Sequence, residues 1–289
     1  MSLVLEKHFF AKPITKMITW LLSLALVSFA SKGSCANPST AFFYGKPVPV
    51  EFLTQYEQVV VEPDNIDDIK PLISKGIKLF AYLSVGEINP SRPWFSEIPD
   101  QWLLGKNADW GSSIVDLSNK DWQSYLLDKL MLPLWKQGYK GFFLDTLDSY
   151  QRISDDSIQR LIQQQALIDL IRTMHERFPG VKLIFNRGFE LLPDIADYAV
   201  ALAAESLFQR WNAASNTYSQ VPPTDHDWLL KKLNQTRDQY GLQIIVIDYV
   251  SPAQSALAKD VAKKIAALGF TPWVSNPSMD MLGLGKNGR

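Results

Sequence analysis

The sequence is short of two residues on which many active sites depend, since its 289 residues include only three histidines and one cysteine. His8 lies near the N-terminus, His175 falls in a helical pattern and His226 in a predicted loop. No predicted strand ends in histidine, so the histidine that a metal site or a Ser-His-Asp triad would need is missing from the strand ends. Cys35 is the only thiol, and no disulfide can form within the chain.

Other absences remove further classes of enzyme. No G-x-G-x-x-G turn follows the first predicted strand, which disfavours a dinucleotide-binding fold. No glycine-rich phosphate loop follows the last two strands. No lysine stands near the C-terminal end of a strand, which disfavours Schiff-base chemistry. We expect no cofactor and no metal site, although a metal ion held by carboxylates alone stays open.

The sequence also lacks an apolar run that would cross a bilayer comfortably. The run Met17–Ala30 has fourteen residues without a charge and follows three lysines, as in a signal peptide. We therefore predict a signal peptide over residues 1–36, a single domain over residues 37–289, and a secreted or periplasmic location. An uncleaved membrane anchor is the alternative.

The chain that remains after signal cleavage is mildly acidic. Removing residues 1–36 takes away four Lys and one Glu and leaves 25 basic and 29 acidic residues, a formal charge of −4. This charge gives no support to a nucleic-acid or anionic-membrane partner. We expect no nucleic acid, no stable membrane insertion after cleavage, and a monomer.

Eight short apolar runs, separated by helical stretches, predict a parallel α/β fold. In a chain of roughly 250 residues they fit a closed (β/α)8 TIM barrel better than an open sheet. The runs are Ala41–Tyr44, Val59–Glu62, Lys78–Ser84, Gly141–Asp145, Lys182–Asn186, Tyr198–Glu205, Gln243–Tyr249 and Pro272–Ser275.

The segments between these runs predict helices and one insertion. Apolar residues recur at helical spacing over Ile158–Phe178 and Leu257–Leu268, and we also expect helices over Asp121–Lys136 and Asp225–Tyr240. A shorter helix is predicted over Asp64–Ser74, capped by Asp64 or Asn65. The long segment Asn89–Ser118 is predicted to lie over the C-terminal mouth of the barrel.

Carboxylates follow five of the eight predicted strands, at the end of the barrel where this fold places its chemistry. Exposure alone would predict a mixture of charges there, whereas these residues are of one sign. An acid that stands over a packed barrel interior is partly desolvated, which raises its pKa and suits it to proton donation. Hydrolysis of a glycosidic bond by two carboxylates is the chemistry that fits this set of acids best. The acids are Glu62, Glu87, Asp145 with Asp148, Glu205 and Asp248.

Five short motifs, in this order and spacing, resemble glycoside hydrolase family 114, whose founding activity is endo-α-1,4-polygalactosaminidase. The resemblance covers roughly Ala41 to Gly285. The motifs are Ala81–Glu87, Gly141–Asp148, Phe185–Gly188, Ala204–Phe208 and Ile247–Tyr249.

The resemblance implies a (β/α)8 barrel that hydrolyses α-1,4 bonds in galactosamine-rich polymers, such as the Pel-type biofilm exopolysaccharide. It also implies that Asp145 and Glu205 are the catalytic acids. The substrate-binding residues that it implies are Tyr44, Glu87, Asp148, Asn186, Asp248 and Tyr249. A partly deacetylated galactosamine polymer is cationic, and an acidic cleft would attract it.

The mechanism and two alternatives stay open at this point. The spacing of the strands allows either retention or inversion, and Asp145 is only weakly favoured as the nucleophile. One alternative is a carbohydrate-binding barrel without catalytic activity that guides a polymer during export. The other is a hydrolase for a different aminoglycan. The presence of both Asp145 and Glu205 argues against the first alternative.

Overall fold

A ring of eight parallel strands forms the centre of the protein, in a computed structural model that describes residues 37–153 and 156–284. Each strand pairs in parallel with the next along the chain, and β8 lies beside β1. The predicted (β/α)8 barrel is confirmed. Its strands are β1 (Thr40–Phe43), β2 (Gln58–Val61), β3 (Lys78–Ser84), β4 (Gly141–Asp145), β5 (Lys182–Asn186), β6 (Ala199–Glu205), β7 (Gln243–Tyr249) and β8 (Thr271–Ser275).

The seam between β1 and β8 is held at both ends of the barrel. At the N-terminal end, the Gln243 side chain donates to Thr271 Oγ1 and to the Pro38 carbonyl, both at 2.9 Å. At the C-terminal end, the backbone N–H of Tyr44 donates to the Met279 carbonyl at 2.7 Å. These bonds fix the residues that follow β1 against those that follow β8.

Helices surround the barrel and cover the outer faces of its strands, so strands such as β7 are buried on both sides, as their continuous apolar sequence predicts. The predicted signal peptide, residues 1–36, lies outside the described residues. No helix in the described part of the chain is long and apolar enough to cross a membrane. The helices are α1 (Val50–Leu53), α2 (Lys70–Ile73), α3 (Lys120–Tyr125), α4 (Leu132–Gln137), α5 (Ser157–Arg177), α6 (Leu192–Ile195), α7 (Pro223–Tyr240) and α8 (Ser255–Ala267).

Shorter helical turns complete the connections between these elements. A π-helical stretch joins α3 to α4, so the predicted helix Asp121–Lys136 is one continuous helix made of an α, a π and a second α segment. The short turns are Pro63–Asn65, Phe95–Glu97, Asp100–Trp102, Ser149–Arg152, Phe189–Leu191 and Ala196–Tyr198, and the π-helical stretch is Leu126–Met131.

The predicted helix Asp64–Ser74 is wrong in its extent. The Glu62 carboxylate accepts from the Asp64 N–H and caps only the short turn Pro63–Asn65, after which Ile66 is extended. The helix itself is the single turn α2. Asn65 does not cap it, because its side chain donates instead to the Tyr44 carbonyl at 2.6 Å.

The predicted insertion after β3 contains a small antiparallel sheet of its own. Its strands are Glu87–Ile88, Leu103–Asn107 and Ser112–Val115, with Ser112–Val115 in the middle. The insertion leaves from the C-terminal end of β3 and packs beside the segment that follows β4. It therefore lies on the side of the barrel that the sequence predicted.

Glu87 joins this sheet to the segment that follows β4. The side chain is buried, and its Oε1 accepts from Asn107 Nδ2 at 3.0 Å and from the Ser149 hydroxyl at 2.5 Å. Its Oε2 accepts from the Ser112 hydroxyl. Both oxygens thus have partners within the protein, and Glu87 ties the insertion to the loop that begins at the end of β4.

We predict that Glu87→Ala lowers the free energy of unfolding by at least about 2 kcal/mol, because three buried donors lose their acceptor. Urea denaturation monitored by circular dichroism measures the change. Asp109→Ala is the matched control: its ion pair with Arg152 also links the insertion to this segment but is exposed, so removing it should cost less than about 1 kcal/mol. Equal losses in the two variants would contradict the role assigned to Glu87.

Candidate active site

Asp145, Asn186 and Glu205 are the last residues of three neighbouring strands, β4, β5 and β6, and their side chains contact one another at the C-terminal end of the barrel. Nδ2 of Asn186 donates to Asp145 Oδ1 at 2.7 Å and to Glu205 Oε1 at 3.0 Å. The opposite amide orientation would place Oδ1 of Asn186 against two carboxylate oxygens. One side-chain amide is thus shared between the two acids.

The shared amide sets the distance between the acids. The two N–H bonds of a primary amide diverge by about 120°, so straight hydrogen bonds of 2.7 and 3.0 Å put the two accepting oxygens, Asp145 Oδ1 and Glu205 Oε1, about 5 Å apart. Two carboxylates of a glycosidase at about 5 to 5.5 Å allow one of them to attack the sugar directly, whereas inverting enzymes need about 6.5 to 9.5 Å. The separation therefore favours retention.

The three strands also end in the same backbone conformation. The residue after each site residue has a positive φ, 64° for Thr146, 55° for Arg187 and 66° for Ser206, although none of them is glycine. This left-handed conformation costs a residue with a Cβ about 1–2 kcal/mol. The sharp turn ends each strand directly after its site residue. Strain of this kind, repeated at three neighbouring positions, marks the mouth of the barrel as a functional region.

Asp145 is surrounded by hydrogen-bond donors. The Tyr82 hydroxyl donates to its Oδ2 at 2.7 Å, and the backbone N–H of Thr146 donates to its Oδ1 at 2.8 Å. The Arg92 guanidinium lies 5.7 Å from the centre of the Tyr82 ring and binds Glu62 through two bonds of 2.8 Å. With Asn186, three donors bind the Asp145 carboxyl group.

Glu205 has a different environment. Burial raises the pKa of the Glu205 carboxyl, and the negative charge of Asp145 raises it further. The Tyr249 hydroxyl, which donates to Oε2 at 2.7 Å, opposes this rise, as do the Arg187 charge and the Asn186 amide. The net shift is upward, which favours the protonated form that a general acid needs.

Two more of the predicted substrate-binding residues lie near the acid pair. The Tyr44 ring contacts the Tyr82 ring with 5.1 Å between their centres, and the charges of Asp145 and Glu205 both act on the Tyr44 hydroxyl, whose pKa burial raises well above its usual value. Asp148 is half-buried, and burial raises its pKa while the Arg187 charge lowers it. The role of Tyr44 and Asp148 in substrate binding stays a prediction.

Glu87 and Asp248, in contrast, are not brought to the cleft, and the structure corrects their predicted place there. Asp248 is 0% exposed, and its carboxylate accepts from the backbone N–H groups of Leu207, Phe208 and Gln209 at 2.6 to 2.9 Å. Burial raises its pKa to about 6, although these three bonds oppose the rise. Asp248 holds the loop that follows Glu205, as Glu87 holds the insertion.

Three residues of the site were missing from the prediction although they lie in the quoted motifs. Tyr82 and Thr146 donate to Asp145, and Arg187 Nη2 donates to the backbone carbonyl of Glu205 at 3.1 Å. Strand alternation could have found Tyr82, because it lies two residues before Ser84, which pairs in register with Asp145. Thr146 and Arg187 directly follow their strands and adopt the left-handed backbone conformation. Neither residue is glycine, so the sequence does not indicate this conformation.

The described residues offer no obvious metal site. Within residues 37–153 and 156–284, no group of three or more His, Cys, Asp or Glu side chains could hold a metal ion. Two neighbouring carboxylates, such as Asp145 and Glu205, are what a glycosidase uses on either side of a glycosidic bond.

Comparison with known proteins decides the family. The model of glycoside hydrolase family GH114 matches residues 40–288. The chain belongs to family 114. It is therefore a glycoside hydrolase, as the five motifs predicted, and the family match spans nearly all of the described barrel.

Solved structures support this assignment. The glycoside hydrolase domain of PelA from Pseudomonas aeruginosa is 38% identical, with a TM-score of 0.79 over 85% of this chain and 98% of that one. Aspergillus fumigatus Ega3, in complex with galactosamine, shares the fold at 19% identity, with a TM-score of 0.58 over 84% of this chain and 91% of that one.

A relative is also found by sequence. An uncharacterized protein of Deinococcus radiodurans is 27% identical over 241 residues, which are 78% of this chain and 75% of that protein.

We predict that Tyr249→Phe raises the pKa of Glu205 further, because it removes the hydroxyl that donates to the charged carboxylate. Titration of the glutamate side-chain carboxyl carbons by ¹³C NMR measures the change. Tyr125→Phe is the control, since its hydroxyl donates to Glu97 at 2.9 Å and should leave Glu205 unchanged. A Glu205 pKa in Tyr249→Phe that equals or falls below the wild-type value would contradict the assigned hydrogen bond.

Proposed function

We propose that this enzyme cleaves α-1,4 bonds inside a galactosamine-rich, Pel-like polysaccharide, with Asp145 and Glu205 as its catalytic acids. The observation that carries the proposal is the Asn186 amide shared by the two acids, which holds them about 5 Å apart. At that distance the glycosidic bond fits between a nucleophile and a proton donor, and the mechanism is a retaining one.

The surroundings of the two acids assign their roles. Glu205 is the general acid, because burial and the Asp145 charge raise its pKa and favour the protonated form. Asp145 is the nucleophile, because the Tyr82 hydroxyl, the Thr146 N–H and the Asn186 amide stabilise its negative charge.

The reaction then takes two steps. In the first, Glu205 gives its proton to the glycosidic oxygen, the bond from that oxygen to the anomeric carbon breaks, and Asp145 forms an ester with the carbon. In the second, the Glu205 carboxylate takes a proton from water, and the water oxygen displaces Asp145 from the anomeric carbon. Two inversions at one carbon give net retention, and both side chains return to their starting protonation states.

The charge of the cleft supports an amino-sugar polymer as the substrate. The Asp145 and Asp148 carboxylates outnumber the one cation beside them, Arg187, and the Arg92 charge is engaged by Glu62 and Asp64. An excess of negative charge in a half-buried cleft attracts a polymer with free ammonium groups. Ega3, which shares this fold, binds galactosamine, a sugar of the proposed class.

We further propose that the enzyme is exported and acts as a monomer. The predicted leader, residues 1–36, has the charge and length of a signal peptide. A polymer of this kind is too large to reach an enzyme inside the cell, so a location outside the cytoplasm suits the proposed substrate.

We expect Asp145→Asn and Glu205→Gln each to remove nearly all hydrolysis while the protein stays folded. A general acid alone contributes about 10²- to 10⁴-fold in rate, and loss of the nucleophile should cost at least as much. Reducing-end release from de-N-acetylated galactosamine oligomers measures turnover, and circular dichroism checks the fold. Asp225→Asn is the control, since that carboxylate is 59% exposed on α7 and should leave turnover unchanged. A folded variant of either acid with more than about a tenth of wild-type turnover would refute its catalytic role.

A further inference from the structure

Arg92, in the insertion after β3, forms an ion pair that the mechanism above does not use. Its guanidinium donates two bonds of 2.8 Å to Glu62, the residue after β2, and one of 2.9 Å to Asp64. The Arg92 and Glu62 side chains are only 21% and 13% exposed. In each of the other ion pairs among the described residues, at least one side chain is more than a third exposed.

Stability alone is a weak reason to bury these two charges. The cost of removing an ion pair from water is about as large as the attraction between its members. The two parallel bonds from Arg92 to Glu62 do supply direction, because they fix the plane of the guanidinium group. The pair is therefore suited to hold one cation in one place.

That place is the face of the Tyr82 ring. Arg92 Cζ lies over the ring, 5.7 Å from its centre. The same ring stacks on Phe143, with 6.1 Å between centres, and makes an edge contact with Tyr44 at 5.1 Å. While the ring is held between these neighbours, its hydroxyl donates to Asp145 Oδ2 at 2.7 Å. A continuous series of contacts thus joins the Arg92 charge to the proposed nucleophile.

The Arg92 charge also changes the Tyr82 hydroxyl as a donor. Burial and the Asp145 charge raise the pKa of Tyr82 well above its usual value, and the Arg92 charge opposes that rise. A nearby cation favours the form of the phenol in which its oxygen is richer in charge. The hydroxyl is therefore a stronger hydrogen-bond donor with Arg92 in place than without it.

We propose that Arg92 is a positioning residue for the second step of the reaction, in which it acts through Tyr82 to help Asp145 leave the anomeric carbon. In that step the electron pair of the bond between Asp145 and the carbon returns to the carboxylate. The water oxygen binds the carbon, and Glu205 takes a proton from the water. The Tyr82 proton stays on its own oxygen throughout.

The second step gains more from this contact than the first. A hydrogen bond to a carboxylate is stronger than one to a neutral ester, so the bond from Tyr82 strengthens as Asp145 leaves and regains its charge. In the first step Asp145 loses charge, and the same bond weakens. Arg92 therefore speeds the breakdown of the ester and not its formation.

This inference rests on the proposed function, and an activated substrate tests it. From a 4-nitrophenyl α-glycoside of a de-N-acetylated galactosamine oligomer, 4-nitrophenolate leaves without a proton from Glu205, so the second step limits turnover. A slower second step then lowers kcat and KM by the same factor and leaves kcat/KM unchanged. We expect Arg92→Gln to lower both about three- to tenfold, whereas general damage to the site would lower kcat/KM.

Three further variants separate the charge of Arg92 from its structural role. Arg92→Lys keeps a cation and should keep most of the wild-type kcat. Arg92→Gln combined with Glu62→Gln leaves no unpaired carboxylate, so it guards against misfolding and should show the same fall in kcat. Arg152→Gln is the matched control, because Arg152 also binds the insertion, through an exposed ion pair with Asp109, and both constants should stay unchanged.

Two kinetic results would overturn the proposal. One is a folded double variant, Arg92→Gln with Glu62→Gln, that has the wild-type kcat. The other is a double variant in which kcat/KM falls as far as kcat, because the first step would then be slowed as well.

Mass measurement of the intact protein after rapid quenching separates this proposal from the catalytic one. During turnover, the ester between Asp145 and the sugar should make up a larger share of Arg92→Gln than of the wild-type enzyme. An ester in the wild type whose share does not rise in Arg92→Gln would refute the role of Arg92 alone. Absence of the ester from both enzymes would refute Asp145 as the nucleophile, and the role of Arg92 with it.

One further measurement needs no substrate. The Tyr82 hydroxyl proton, held in a bond of 2.7 Å, should give a downfield ¹H NMR signal that Tyr82→Phe removes. Arg92→Gln should move this signal upfield, because a weaker donor makes a weaker hydrogen bond, and Arg152→Gln should leave it in place. An unmoved signal in Arg92→Gln would refute the action of Arg92 through Tyr82, whether or not the enzyme cleaves a galactosamine polymer.

Discussion

The shared amide of Asn186 is the interaction on which the rest of the site depends. Two carboxylates about 5 Å apart repel by about 3 kcal/mol at an effective dielectric constant of about 20. The protein offsets this repulsion in two ways. One amide donates to both acids, and burial together with the Asp145 charge raises the pKa of Glu205, which favours its protonated form. The shared amide and the raised pKa of Glu205 thus reduce the repulsion between the two acids. The raised pKa also distinguishes Glu205, the acid, from Asp145, the nucleophile.

The fold could be predicted from the sequence because its signals are local. Strands buried on both faces are continuous apolar runs, such as Gln243–Tyr249, and each barrel strand lies next to its successor, so their order along the chain is their order in space. The rule that barrel chemistry lies at the C-terminal ends of strands then gave acids after five strands, and the resemblance to family 114 selected Asp145 and Glu205 among them. Asn186 came only from the resemblance to family 114, since nothing in its local sequence shows that it reaches both acids.

The sequence failed where the direction of a side chain matters. Tyr249 points to Glu205, so its neighbour Asp248 must face the other side of β7, and there it binds the backbone of the Leu207–Gln209 loop. Glu87 belongs to the insertion sheet and not to β3, which takes it out of the cleft. The hairpin after Glu205 was missed because its two strands, Gln209–Asn212 and Thr217–Gln220, have only four residues each and are mostly polar. The insertion sheet and the hairpin depend on tertiary contacts, and the sequence has no periodic pattern that would indicate them.

The central claim is that the spacing set by Asn186 makes Asp145 a nucleophile, and the configuration of the first product tests it most directly. ¹H NMR spectra recorded during hydrolysis of an α-1,4-galactosamine oligomer show the anomeric signal of each new reducing end before it mutarotates. The α anomer should appear first and the β anomer should follow at the rate of mutarotation. Initial release of the β anomer would mean that water attacks directly, and it would contradict the account.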